Sequence, residues 1–301
     1  MVTKLDKISS HQLEKILCPL CGTKKFTRLY PNHYPRLVTC SGCSLIYTNP
    51  RLKNEHLQKL YTKKYFRNDI SSVFGYTNYQ GDELKIRKTA RKRLEKIERF
   101  HPPGKILDLG CATGFFLDEA RKRGWEPYGV EISKFAASYA TKQLKLDVVN
   151  GDLQSINFPA KSFDLITMWD VVEHITNPVP TFKKLSKLLK KDGMLVFSTP
   201  DVGSVPARIT KHRWIGYKLS DEHLAYFSLP TIQNLLEQTG FELETVHHLG
   251  KYISFSLFAD RMGIYSARSG KLLTKVAKYI PKSFNFYLSA FDITCVYARN
   301  K

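Results

Sequence analysis

The sequence predicts an α/β protein built on a doubly wound, mostly parallel sheet, with a small metal-stapled module ahead of it. Three observations carry the prediction. Between residues 105 and 200, short apolar runs alternate with amphipathic segments at the pace of strand–helix–strand units. The first of these runs ends in a glycine-bearing turn. Four of the six cysteines crowd between Cys18 and Cys43 as two Cys-x-x-Cys pairs.

At 301 residues the chain has room for one sizeable domain and a small module, and its apolar share of 43% suffices for a core. The opening MVTKLDKISSHQLEKIL holds no secretory-type apolar run, and no stretch approaches about 18 uninterrupted apolar residues. Cysteines clustered in this way fit a reducing, cytoplasmic setting and a metal site better than a disulfide scaffold. The formal charge of +20 is uneven. Residues 1–50 carry 7 Lys/Arg against 2 Asp/Glu, residues 51–100 carry 14 against 6, and residues 251–301 carry 9 against 2. Residues 101–250 balance at 17 each. Solvated helix faces explain the excess as well as an anionic partner does: RNA, a lipid headgroup or a phosphorylated substrate.

Cys18-Pro-Leu-Cys21 and Cys40-Ser-Gly-Cys43 are separated by 18 residues. Zinc takes four thiolates tetrahedrally, and each Cys-x-x-Cys turn presents two sulfurs from one loop. With every ligand place filled by cysteine, the expected site is structural. Gly22 follows the first pair and Gly42 lies inside the second, where a positive φ is often required. Phe26 to Tyr30 and Leu37 to Thr39 read as short strands. Residues 1–50 bury little core as a zinc ribbon, so the metal supplies folding energy. Residues 51–104 read as a basic, aromatic linker or cap (Tyr61, Tyr65, Phe66, Tyr76, Tyr79) and a helix from Asp82 to Phe100. There Ile86, Ala90, Leu94 and Ile97 share one face and Lys/Arg residues fill the other, until His101-Pro102-Pro103-Gly104 stops the helix.

Lys105 to Leu109 is a strand that runs into Gly110-Cys111-Ala112-Thr113-Gly114 and a helix from Phe115 to Arg123. That arrangement binds a nucleotide-like ligand at a helix N-terminus. Gly110 and Gly114 let the backbone approach a ligand closely. Asp108, at the strand end, would repel a pyrophosphate but suits a cationic amino-acid ligand. The second strand, Pro127 to Val130, ends in Glu131, placed to accept from ribose hydroxyls, before a helix from Ser133 to Leu144. The third, Leu146 to Val149, ends at Asn150-Gly151-Asp152, where Asp152 can accept from an adenine amino group. The fourth, Phe163 to Met168, leads into Trp169-Asp170-Val171-Val172-Glu173-His174. A helix from about Pro178 to Lys191 and a fifth strand, Met194 to Ser198, complete the series.

Together ILDLGCATGFF (106–116), GVEIS (129–133), NGDLQSINFPAKSFDLI (150–166), WDVVEHITNP (169–178) and LKKDGMLVFSTP (189–200) resemble the class I S-adenosylmethionine-dependent methyltransferases, over a domain of residues 105–301. The resemblance implies a Rossmann-like seven-stranded sheet of order 3-2-1-4-5-7-6 whose last strand is antiparallel, with Phe241 to Leu249 and Asp292 to Arg299 as strands six and seven. It implies S-adenosylmethionine as cofactor, with Asp108, Gly110 and Gly114 at its methionine part and Cys111 beside them. Glu131, with Ile132 next to it, would hold the ribose, and Asp152 with Leu153 the adenine; Trp169 and Asp170 would face the sulfonium. One departure is Ala112, where the family usually has glycine. Asp-x-x-Glu-His is similar to the ubiquinone-pathway O-methyltransferases, which implies a divalent cation at Asp170, Glu173 and His174. The alternative is that Glu173 and His174 only orient the next loop.

Methyl transfer is an in-line displacement that needs alignment and a desolvated pocket, and an oxygen or nitrogen nucleophile gains from a base. Asp221-Glu222-His223-Leu224-Ala225-Tyr226-Phe227-Ser228 resembles a segment of bacterial relatives on the ligand side of the sheet, ahead of a helix from Pro230 to Thr239. His223 is the first candidate base, with Asp170, Glu173 and His174 beside it; the alternative is a histidine that braces the loop. A zinc ribbon continued by Thr48-Asn49-Pro50-Arg51 resembles a bacterial group that modifies sugars and other small metabolites. This implies a small-molecule acceptor, anionic or lipid-linked, methylated on oxygen or carbon. RNA methylation is the runner-up, on the ribbon and the charge, although no RNA-binding module is found. A non-catalytic scaffold that keeps the cofactor fold is the third reading. Lys271 to Tyr287 mixes lysines with Leu272, Leu273, Val276, Ile280, Phe284 and Phe286, and suits either peripheral contact with an anionic membrane or a packed helix interrupted at Pro281.

Overall fold

The computed structural model describes residues 9–57, 82–152, 157–219, 222–281 and 283–301. Leu153, Asp221 and the five aromatics named between Tyr61 and Tyr79 lie outside the described residues.

The N-terminal module contains β1 (Leu13–Glu14), β2 (Phe26–Arg28), β3 (Leu37–Cys40), β4 (Ile46–Thr48), β5 (Arg51–Leu52) and the single turn α1 (Asn54–Leu57). Strands β2, β3 and β4 form an antiparallel meander, and β5 returns to pair with β1. Then come α2 (Glu83–Ile97), β6 (Lys105–Leu109), α3 (Phe115–Lys122), β7 (Glu126–Glu131), α4 (Lys134–Leu144), β8 (Asp147–Asn150) and β9 (Phe163–Trp169). After a short turn follow α5 (Pro178–Leu188), β10 (Leu189–Pro200), α6 (Val205–Thr210), β11 (Ala225–Tyr226), α7 (Leu229–Glu237) and β12 (Phe241–His248). The chain closes with β13 (Lys251–Ser254), α8 (Phe255–Tyr265), α9 (Ala267–Ala277), β14 (Asn285–Leu288) and β15 (Ile293–Asn300).

The large sheet has the order β12-β15-β10-β9-β6-β7-β8, which is the predicted seven-stranded order. Strand β15 is antiparallel to both neighbours, and the pairs from β10 to β8 are parallel. Its central strands are covered on both faces, which is why Ile106, Leu107, Leu165, Ile166, Leu195 and Val196 are all fully buried. The fifth strand begins earlier than expected: α5 stops at Leu188, and β10 starts at Leu189 with an irregularity before Met194.

The basic face of α2 is partly paired. Arg87 donates to Asp118 and Glu119 of α3 at 2.5 and 2.8 Å, and Arg91 donates to Glu119 at 2.6 Å. Between strands six and seven, β13 and β14 form an antiparallel pair that carries α8 and α9. This insertion sits on α2, where Tyr252 N–H donates to Thr89 Oγ1 at 3.0 Å and Lys88 donates to Asn285 at 3.1 Å. Lys271 to Tyr287 is therefore not one helix: α9 ends at Ala277, Pro281 lies in a turn, and the chain leaves as β14.

The ribbon's sheet is completed by a strand from the second half of the chain. Strand β11 pairs antiparallel with β4, giving the order β11-β4-β3-β2.

Candidate functional site

The four cysteine sulfurs of the ribbon lie within 4.8 Å of one another, with Cys18 and Cys43 at 3.5 Å and Cys21 and Cys40 at 3.5 Å. A zinc ion with bonds of about 2.3 Å to four sulfurs holds them about 3.8 Å apart, so the set fits. Each knuckle ends on a left-handed residue, Gly22 at φ +72° and Ser44 at φ +63°. Gly42 does not take the positive φ that its position was expected to require. It is needed for closeness instead, since a Cβ there would meet Thr23 Oγ1 at 2.6 Å.

The turn after β6 bends back through three left-handed residues: Gly110 (φ +71°), Ala112 (φ +49°) and Gly114 (φ +82°). A Cβ on Gly110 would lie 2.7 Å from Val171, and one on Gly114 would lie 2.7 Å from Leu146, so both glycines also let the turn pack against the protein. Cys111 is buried and Ile132 is exposed beside the turn. Asp108 is buried and accepts from Thr167 Oγ1 at 2.7 Å; burial pushes its carboxyl up to about 7. Glu131 is buried too, and burial raises it, although its oxygens accept from Ala112 N–H and Ser133 N–H at 2.8 Å each. Asp152, exposed at the end of the third strand, stands near the same edge. Carboxylates at the ends of adjacent strands, with glycine turns between them, can grip a ligand that carries an ammonium and a diol.

One member of this half was not foreseen. Arg93 of α2 lies with its guanidinium 4.1 Å over the Trp169 ring. Its charge also reaches Asp108 and Asp170, and its buried Nε finds no hydrogen-bond partner among the described residues. The sequence held the signal: Ile86, Ala90, Arg93 and Ile97 recur at spacings of four, three and four, so Arg93 is a lone cation on the apolar face.

The turn after β9 builds the other half. Asp170, at φ +57°, accepts from Ser198 Oγ at 2.8 Å and pairs with Lys251 of β13. Burial works against its charge, but the Lys251 ammonium and the Arg93 guanidinium hold its carboxyl well below the ordinary range. Glu173, His174 and His223 come together, with their ligand atoms within 4.8 Å. Asp170 is not among these three; its carboxylate pairs with Lys251 while its charge still acts on Glu173. His174 Nδ1–H donates to the Glu222 carbonyl at 2.9 Å, which leaves Nε2 as its acceptor. The His174 and His223 rings meet edge to face at 4.8 Å. Burial lowers both imidazoles, His223 further, and burial with the Asp170 charge pushes Glu173 up to about 8. His223 Nδ1 and Glu173 Oε2 are buried without hydrogen-bond partners among the described residues.

The ribbon sets this second half in place. Thr48 Oγ1 donates to the His223 carbonyl at 3.0 Å, and Thr48 N–H donates to Leu224 O at 3.0 Å. Leu224 N–H donates to Glu173 O at 2.8 Å, and Arg51 donates to Thr176 O at 2.7 Å. Asn49 exchanges two hydrogen bonds with the Ile16 backbone, at 3.1 and 3.2 Å. The Thr48-Asn49-Pro50-Arg51 run is thus the joint between the four-cysteine ribbon and the loop bearing His223.

A family model described as a methyltransferase domain matches residues 82–246. The chain is 30% identical over 99 residues to a ubiquinone biosynthesis O-methyltransferase of Coxiella burnetii, covering 31% of this chain and 42% of that protein. It is 33% identical over 102 residues to the mitochondrial ubiquinone biosynthesis O-methyltransferase of Schizosaccharomyces pombe, covering 32% and 37%. The match thus spans less than half the length of these curated relatives. Among solved structures, a SAM-dependent methyltransferase of Thermotoga maritima shares the fold with a TM-score of 0.50 and 19% identity, over 74% of this chain and 95% of that one.

Proposed function

The chain belongs to the methyltransferase-domain family, and from that premise we propose that it transfers a methyl group from S-adenosylmethionine to an oxygen of a small hydroxylated acceptor. The observation that carries this is the convergence, around the carboxyl ends of the central strands, of Asp108, Glu131 and Arg93 with the unpartnered polar atoms of Glu173 and His223. The residues fit the cofactor's chemistry. Asp108 would take its ammonium, Arg93 its carboxylate, Glu131 the ribose hydroxyls, and Asp152 the adenine; Leu153, expected beside Asp152, lies outside the described residues. When bound, the cofactor supplies an electrophilic methyl on a sulfonium, beside Trp169 and Asp170.

His223 acts on the acceptor. Its burial keeps the imidazole neutral, and its unpaired Nδ1 is free to receive the hydroxyl proton as the oxygen attacks. His174 orients that ring, and the burial of His223 and Glu173 keeps water away. The ribbon, closed by one structural zinc on Cys18, Cys21, Cys40 and Cys43, fixes the loop that carries His223. On this reading residues 1–50 form the ribbon, 51–104 the cap and first helix, and 105–301 the transferase core. The acceptor is of the class that precedes a methoxylated metabolite, such as a phenol or a sugar; the relatives named as O-methyltransferases support an oxygen acceptor.

A second reading is favoured by one observation: Glu173, His174 and His223 offer three ligand atoms within 4.8 Å, a set that a divalent cation would bridge. Calorimetry on zinc-loaded protein, followed by a labelled-methyl screen of hydroxylated acceptors with and without added divalent metal, tests both. We expect micromolar binding of S-adenosylmethionine and of its demethylated product, and acceptor labelling that needs no added metal. Binding of neither compound would sink the proposal, and labelling that appears only with metal would replace the histidine base with the cation.

A further inference from the structure

We propose that the outer face of α9 docks on an anionic lipid bilayer. From residue 261 to residue 291 the chain holds six cations (Arg261, Arg268, Lys271, Lys275, Lys278, Lys282) and no Asp or Glu. Along α9 and its final turn Arg268, Lys271, Lys275 and Lys278 recur at spacings of three, four and three, one stripe of a helix. Leu272, Val276 and Tyr279 each lie one residue further on and so form the adjoining stripe, about 100° around the axis. They are 64%, 43% and 91% exposed, and Phe284, beyond the Pro281 turn, is 48% exposed. The inner side of α9 is already taken by α8, where Gly270 and Gly263 touch so closely that a Cβ on Gly270 would lie 2.3 Å from Gly263 Cα.

Adjacent cationic and apolar stripes select the occupant. A second copy of this face would bring like charges together with no acid to offset them. A nucleic acid would satisfy the lysines but leave Leu272 and Val276 in water. A bilayer interface satisfies both stripes, with lysines at headgroup phosphates and the aliphatic and tyrosine side chains among the acyl–headgroup boundary. No helix among the described residues is long and apolar enough to cross a membrane, so the contact is with its surface. The same insertion delivers Lys251 to Asp170, which joins the docking face and the candidate site in one unit.

Sedimentation of the full-length protein with sucrose-loaded vesicles tests the proposal. Phosphatidylcholine vesicles with and without a quarter of phosphatidylglycerol are compared. We expect pelleting with the anionic vesicles alone, weakening as salt rises. The K271Q/K275Q/K278Q variant loses roughly 100-fold in partitioning, and L272S/V276S/Y279S loses binding even at low salt. Because these side chains are exposed, both variants keep the wild-type melting temperature. The readout involves no turnover, so it is independent of the methyl-transfer reading. Wild-type protein that stays in the supernatant overturns the proposal, as do variants that pellet like wild type. Binding to a single-stranded RNA oligomer but not to vesicles overturns it in favour of nucleic acid.

Discussion

The two halves of the candidate site are assembled in opposite ways. The proposed cofactor half comes largely from one continuous stretch, Asp108 through Asp152, in which each residue sits at the end of a strand or in the turn that follows. The proposed acceptor half draws on four separate segments: Asp170 to His174, Glu222 to Tyr226, the Thr48–Arg51 joint and Lys251. A strand-end site is specified by the strand itself. A site gathered from distant segments needs each segment held, and here the four-cysteine ribbon and an inserted hairpin do the holding. The cofactor half should therefore tolerate damage to the ribbon, and the acceptor half should not.

The largest effect is expected at the centre of the acceptor half. His223→Ala should lower kcat by about 1000-fold, while calorimetry shows cofactor affinity within about threefold of wild type. Wild-type turnover in that variant would return His223 to a bracing role. Next comes the ribbon. Cys40→Ser removes one thiolate and frees β4 from its task of holding β11. Turnover should drop roughly 100-fold through misplacement of His223, again with cofactor affinity preserved. If affinity falls in parallel, the two halves are not separable and the comparison fails.

Asp108→Asn acts on the other half, with about 30-fold weaker cofactor binding, from the loss of a charge-assisted hydrogen bond worth about 2 kcal/mol. Its pH dependence sharpens the test. In the free protein burial raises Asp108 from 3.8 to about 7, so the stability it contributes is full below 3.8 and is lost as pH rises through about 7. Cofactor affinity should climb over that same window, as the carboxylate that meets the ammonium forms. The Asn variant should show neither slope in thermal melts or titrations across pH. The smallest effect is at Ala112, left-handed at φ +49°. Ala112→Gly should raise stability by about 0.5–1 kcal/mol at unchanged affinity; a lower melting temperature would show that its methyl packs usefully.

Legibility followed the same division. Gly110 and Gly114 announced their turn because only a positive φ closes it, and Asp108 and Glu131 announced theirs by ending apolar strands. Asp170 was visible as a motif residue, but its direction was not, since its partner Lys251 lies 81 residues away. Arg93 was obscured because the Lys/Arg abundance of α2 made one more cation look like solvated surface. The Thr48–Arg51 run is only a pattern in the sequence; that it clamps the His223 loop depends on Thr48 meeting His223, across 175 residues of chain, beside the β4–β11 pair.

By itself the sequence determined what depends on neighbours within a few positions: the strand and helix periods, the cysteine knuckles, the glycine turn and the acids at strand ends. Only the tertiary structure decided which faces meet. It made Asp170 a counter-ion for Lys251 and set His223 against Glu173 and His174. It also lent the ribbon a strand from the large-sheet domain. The physical reason is that dihedral preferences and side-chain periodicity are local properties of the chain. Burial, ion pairing and edge-strand pairing join segments whose separation in sequence carries no record of the contact.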